Sequence, residues 1–198
     1  MGAVGIFGGS FDPIHNAHIK LAEHAYKELG LSKVIFIPAY LQPFKVDKEV
    51  TNEVHRINML KLATKEYPYF EVSDIEVKMG GKSYTARTLT ELKKEYDELY
   101  FILGADSYLS LSRWYMPEVI FKQATIACAI RDDVDMDLLK KKSEEYCKEF
   151  QGNTAFLKMP RTDISSTDLR ARLSKGEKPL DLISEDVYAY IKENGLYV

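Results

Sequence analysis

The run Ala3-Val4-Gly5-Ile6-Phe7-Gly8-Gly9-Ser10-Phe11-Asp12-Pro13-Ile14-His15-Asn16-Ala17-His18 carries a short apolar stretch through paired glycines toward a helix. Residues 3–7 read as a buried strand, and Gly8-Gly9 as the tight turn that ends it. From Ala17 to Leu29 the apolar positions Leu21, Ala25 and Leu29 recur every four residues, which predicts an amphipathic helix stopped by Gly30. Val34-Ile35-Phe36-Ile37 is then a second buried strand, closed by Pro38. Strand, glycine turn, helix and strand in this order form the start of a doubly wound sheet.

The rest of the chain repeats the alternation. Residues 39–51 read as a loop, and Ile57, Leu60 and Ala63-Thr64 mark a helix. Phe70-Glu71-Val72 is a short strand, Thr88 to Tyr96 a helix, and Leu99 to Leu103 a strong strand ending at Gly104. Thr125 to Ile130 is a further strand, followed by a charged helix from about Asp135 to Phe150. A weak strand, Thr154 to Lys158, precedes a helix opening at Ser166, and a last helix runs from about Ser184 to Asn194. The expected fold is α/β, a doubly wound, mostly parallel, Rossmann-like sheet. It forms a single domain over 1–198, with a small C-terminal helical part from about 161. Ligands of such sheets bind beyond the carboxyl ends of the strands, near the switch point of strand order. That rule selects residues 8–18, 38–45, 104–115, 131–133 and 160–170.

The net charge of −3 offers no general attraction to nucleic acid or acidic membranes. A polyanionic ligand must therefore be held by local donors. The Lys140-Lys141-Lys142 run reads as a solvated helix face. Cys128 and Cys147 lack CxxC spacing and nearby paired histidines, as expected of buried or idle thiols in a reducing cytosol. The opening MGAVGIFGGSFDP is too short and too soon polar for a signal peptide, and no apolar run approaches the roughly 18 residues of a membrane span. The expected setting is cytoplasmic, without a membrane or nucleic-acid partner. A homo-oligomer is left open.

The glycine pair lets a ligand approach the backbone, and the helix start beyond it presents N–H groups to an anion. Neither a Walker A lysine nor a GxGxxG fingerprint is present. His15 and His18, three residues apart at a helix start, can point to one side. They admit a structural, a metal-binding or a phosphate-binding reading. No HExxH or similar set supplies the third protein ligand a metal would need, so no protein metal site is expected. The phosphate reading gains from a second motif, Ile164-Ser165-Ser166-Thr167-Asp168-Leu169-Arg170. Ser165 or Ser166 suits an N-cap at a positive helix end, and Arg170 lies one turn on, where a guanidinium can grip a phosphate.

GGSFDPIHNAH together with ISSTDLR resembles the signature pair of the HxGH nucleotidylyltransferase superfamily. Across nearly the whole chain the sequence is similar to the bacterial nicotinate-nucleotide adenylyltransferase family. Pro43-Phe44-Lys45, His55-Arg56, Ser83-Tyr84-Thr85, Gly104-Ala105-Asp106, Trp114-Tyr115 and the closing Asn194-Gly195-Leu196-Tyr197 also carry the likeness. The resemblance implies adenylyl transfer from ATP to nicotinate mononucleotide, giving deamido-NAD and pyrophosphate, with His15, His18 and Arg170 as catalytic residues. It further implies that Gly8, Gly9, Ser10, Phe11, Asp106, Ile164, Ser165, Ser166 and Thr167 join them in holding ATP. Asp12, Lys45, Tyr84, Thr85, Trp114, Tyr115 and Arg131 would meet the acceptor, with Trp114 stacked on the nicotinate ring. Mg²⁺ would be held mainly through ATP phosphates and water. Two departures stand out: Ala17 replaces the usual glycine between the histidines, and Arg87 stands where relatives often carry an acidic residue.

The alternatives are a nicotinamide-mononucleotide preference, phosphopantetheine adenylyl transfer and, from another class, a non-catalytic nucleotide sensor. The phosphopantetheine family shares the ISSTxxR element but usually carries threonine where this chain has His15. A sensor would be expected to have lost a histidine or Arg170, and neither is lost.

Overall fold

A computed structural model describes residues 2–43, 50–130, 135–159 and 164–198 of the chain. Its first strand, β1 (Val4–Gly9), leads through the glycine turn into α1 (Asn16–Glu28), and then β2 (Lys33–Pro38), α2 (Glu53–Thr64) and β3 (Phe70–Val72) follow. Two helices, α3 (Ile75–Met79) and α4 (Thr85–Leu92), precede β4 (Leu99–Gly104). After β4 come α5 (Ala105–Ser110), a 3₁₀ turn over Leu111–Arg113 and α6 (Pro117–Gln123). The chain continues with β5 (Thr125–Ile130), α7 (Met136–Phe150), β6 (Thr154–Lys158), α8 (Ser166–Ser174) and α9 (Glu185–Glu193).

The strands form one six-stranded sheet in the order β3-β2-β1-β4-β5-β6. Every pairing is parallel, with Ile6 opposite Ile35 on one side and Phe101 on the other. Side chains of a strand alternate between faces, so apolar residues at successive positions bury both. Ile6, Ile35, Phe101 and Ile126 enter a core covered by α4, α5, α6 and α7. Phe7, Phe36, Ile102 and Ala127 enter a second core beneath α1, α2, α8 and α9. Winding outward from β1 in one direction and from β4 in the other leaves a crevice at their carboxyl ends.

Three expectations change in detail. The stripe that α1 buries is Ile19, Ala22 and Ala25, while Leu21 and Leu29 lie only partly buried against the core. The helix begins at Asn16, one residue before the expected Ala17, and Leu29 is its cap, with Gly30 at φ +59° completing the stop. Secondly, α4 spans Thr85–Leu92 and not Thr88 to Tyr96. It starts on an extended Tyr84 with no side-chain cap, so the usual start signal is missing, and residues 93–96 form tight turns. Thirdly, α3, α5 and α6 were not expected; they are too short to show a helical period. Cys128 is buried, which pushes its thiol up to about 12, and Cys147 is exposed. No helix among the described residues is long and apolar enough to cross a membrane.

Candidate active site

The loop leaving β1 is tied down by its carbonyls. The Ser10 carbonyl accepts from Arg56 Nη1 at 2.9 Å, that of Asp12 from Arg170 Nη1 at 2.6 Å, and that of Pro13 from the Ser166 hydroxyl at 3.1 Å. Groups that would repel a phosphate are thus neutralised by donors. The Phe11 ring is buried in the second core, edge-on to Phe7 at 5.4 Å, so only the backbone of that residue is available to a ligand. A Cβ on Gly9 would stand 3.1 Å from the Phe11 ring, which is the packing reason for glycine there. Asp12 is buried as well, and its carboxylate accepts from Tyr197 Oη at 2.6 Å.

His15 caps α1 in an extended conformation and its backbone N–H donates to His18 Nδ1 at 3.3 Å. The two rings stack at 3.7 Å and 22°. His18 also lies edge-on to Phe11 at 5.1 Å. Burial first, and then the neighbouring His15, hold its pKa well below the usual 6.5. A nitrogen that accepts cannot carry the proton, so neutral His18 carries it on Nε2 and offers one N–H donor. Ala17, between the two histidines in sequence, lies in the first turn of α1 as regular helix.

The second motif forms the start of α8. Ser165 is the N-cap: its hydroxyl accepts from the Asp168 N–H at 3.1 Å and donates to Asp168 Oδ2 at 2.6 Å. Ser166 holds the Pro13 carbonyl, so these two hydroxyls serve the loop and the helix end. Thr167 is exposed, with its hydroxyl 3.4 Å from Arg170 Nη2, and Ile164 is half-buried just before the cap. Arg170 uses one guanidinium nitrogen on the Asp12 carbonyl and keeps about a third of its side chain exposed.

Beside this loop and helix start, and joined to them at Gly8, Gly9 and Ser10, a cavity of about 690 Å³ opens between β1, β4 and the start of α4. Tyr84 and Tyr115 stack at 4.3 Å on its wall, and Trp114 sits edge-on to Phe101 at 6.2 Å. Thr85, the first residue of α4, also faces it. Asp106 is exposed in the first turn of α5, next to the lining residue Ser107. Arg87 is exposed on α4, away from the lining. Lys45 and Arg131 lie outside the described residues.

Several contributors were given no role by the sequence reading, although Ser83, Arg56 and Tyr197 lie in stretches that carry the family likeness. Glu76 lines the cavity, accepts from Thr88 Oγ1 at 2.7 Å, and has its pKa raised by burial. The Ser83 hydroxyl accepts from the Tyr40 N–H at 2.8 Å, which fixes the rim. Arg56 and Tyr197 brace the loop from α2 and from beyond α9. A charged residue on the buried face of α2 was the available signal for Arg56. Nothing local marked Glu76.

A loop of histidine, arginine and hydroxyl donors at the switch point of a doubly wound parallel sheet, with an aromatic cavity beside it, is the arrangement of a nucleotide-handling α/β protein. The chain belongs to the cytidylyltransferase-like family, whose model matches residues 6–172. It is 43% identical over 199 residues to the probable nicotinate-nucleotide adenylyltransferase of Dehalococcoides mccartyi, covering 98% of this chain and 96% of that one. With the probable nicotinate-nucleotide adenylyltransferase of Lachnoclostridium phytofermentans it is 39% identical, over 100% of both chains. The fold is also that of Plasmodium falciparum nicotinic acid mononucleotide adenylyltransferase complexed with NaAD. That likeness has a TM-score of 0.79 at 23% identity and covers 100% of this chain and 98% of that one.

Proposed function

We propose that this chain transfers the adenylyl group of ATP to nicotinate mononucleotide, giving deamido-NAD and pyrophosphate. The observation that carries the reading is the junction at Gly8, Gly9 and Ser10, where a shelf of phosphate donors meets a cavity walled by flat rings. The relatives named nicotinate-nucleotide adenylyltransferase support the choice of acceptor.

A 5′-phosphate oxygen of the mononucleotide attacks the α-phosphorus in line, and the bond to the β-phosphate breaks as pyrophosphate leaves with the electron pair. A phosphate monoester is ionised near neutral pH, so the step needs positioning and charge neutralisation more than a base. His18 Nε2–H donates to the α-phosphate as charge builds there, and His15 meets the neighbouring phosphates. Thr167, Arg170 and the N–H groups opening α8 hold the leaving end, while Asp106 meets a ribose hydroxyl. Trp114 stacks on the nicotinate ring, with Thr85 and the start of α4 near its carboxylate. The shelf donors are imidazole, guanidinium and hydroxyl groups, which suit phosphate oxygens better than a bare cation. Mg²⁺ fits there as an ion carried on ATP, adding charge neutralisation to the triphosphate.

The test is pyrophosphate release with ATP and Mg²⁺, comparing nicotinate mononucleotide, nicotinamide mononucleotide and phosphopantetheine. Fast turnover with the first is expected. Turnover confined to either of the others would reassign the acceptor, and ATP binding without turnover would leave a sensor.

A further inference from the structure

The loop carrying the two histidines is braced from a distance. Past α9 the chain turns through Gly195 at φ +58° and then Tyr197 at φ +62°. Glycine adopts this left-handed region freely, but a bulky residue is disfavoured there and stays only where its surroundings hold it. What Tyr197 reaches is Asp12, to whose carboxylate it donates at 2.6 Å. Asp12 is buried and its own carbonyl accepts from Arg170. Arg56, also buried, donates to the Ser10 carbonyl at 2.9 Å and the Thr51 carbonyl at 2.7 Å. Burial and the bond to Asp12 push the Tyr197 phenol far above its usual range, so it remains a donor through neutral pH. Between the two anchor points Phe11 also has a positive φ, +48°.

We propose that Tyr197 is a positioning residue for adenylyl transfer, its hydroxyl fixing Asp12 and hence the loop that presents His15 and His18 to the ATP phosphates. The assignment rests on the proposed function. It adds a requirement that the segment beyond α9 be seated on the loop before ATP is held in reactive geometry.

Tyr197→Phe keeps the ring and removes only the hydroxyl. With circular dichroism showing native structure, kcat is expected to fall roughly 10- to 100-fold, as for a misplacement on the order of an ångström. The Kd for ATP alone, measured by titration calorimetry, should rise at least several-fold, while the KM for the mononucleotide changes less than about twofold, since Trp114 and Thr85 are untouched. A merely structural latch would lower the melting temperature and leave kcat and the ATP Kd within about twofold, which would overturn the proposal. If the variant is unfolded, hydrogen exchange on the wild type decides. Saturating ATP should slow exchange in both residues 10–18 and residues 195–198, and an unchanged tail would sink the idea. ATP binding is measured without an acceptor, so wild-type protein that binds ATP but turns over no mononucleotide would refute the proposed function separately.

Discussion

In the proposed mechanism His18 is the donor to the α-phosphate, and its burial gives the site a pH dependence. Replacing it with alanine removes the Nε2–H donor, and turnover should fall by about 10²–10³ with the fold intact. A steady-state assay showing near-normal turnover would remove His18 from the mechanism. Its folded pKa lies below the ordinary 6.5 because burial and His15 disfavour the imidazolium. Between that depressed value and 6.5 the unfolded chain binds a proton that the folded chain does not. Stability therefore rises with pH across this window, and the destabilisation is complete below the folded pKa. Melting curves should show the wild type losing stability on going from pH 7 to pH 5, and His18→Gln losing less. Trp114 belongs to the same scale. Trp114→Ala should raise the KM for the mononucleotide by roughly 5- to 150-fold, the equivalent of about 1–3 kcal/mol of ring stacking. An unchanged KM would take Trp114 out of the acceptor site.

Among the elements, α8 links the two halves of the chain. Its N-cap bond from Ser165 orders the turn that presents Thr167 and Arg170, and Ser166 ties that turn to Pro13. Ser165→Ala should cost about 1 kcal/mol, seen as a fall in melting temperature of roughly 2–4 °C. The cap was legible because a serine run just before an apolar period is a local signal. So were the central strands β1, β2, β4 and β5, whose short apolar runs read as buried segments. The short helices α5 and α6 were not, since six or seven residues cannot establish a 3.6-residue period. Pro117 at the first position of α6 was the only clue offered. The buried stripe of α1 was misread by a few positions because Leu21 and Leu29 are as apolar as the Ile19 that packing chose.

At the scale of the molecule, two cores press on one sheet, and sites far from the crevice still set its stability. A Cβ on buried Gly152, at the end of α7, would overlap the Phe121 ring of α6. Gly152→Ala should thus destabilise by about 1–3 kcal/mol, a drop in melting temperature of roughly 2–12 °C, with the ATP Kd little changed. The proposed mechanism puts Mg²⁺ on the substrate and not in the fold. Chelation should accordingly stop pyrophosphate release while leaving the melting curve in place, and a lower melting temperature would indicate a protein-held ion.

The glycine turn, the spaced histidines, the Ser-Ser-Thr-x-x-Arg start and the rhythm of strands were determined by the sequence alone. Each is local chemistry, expressed within a turn or two of the chain. The sequence could not show that Ser166 spends its hydroxyl on the Pro13 carbonyl, or that the Asp12 carboxylate is turned to Tyr197. Nor could it bring Glu76 into the cavity or set Arg56 against the loop after β1. Those pairings join residues up to 185 positions apart. Only closure of the sheet and its two helical layers brings such residues within hydrogen-bond reach, so only the tertiary structure could decide them.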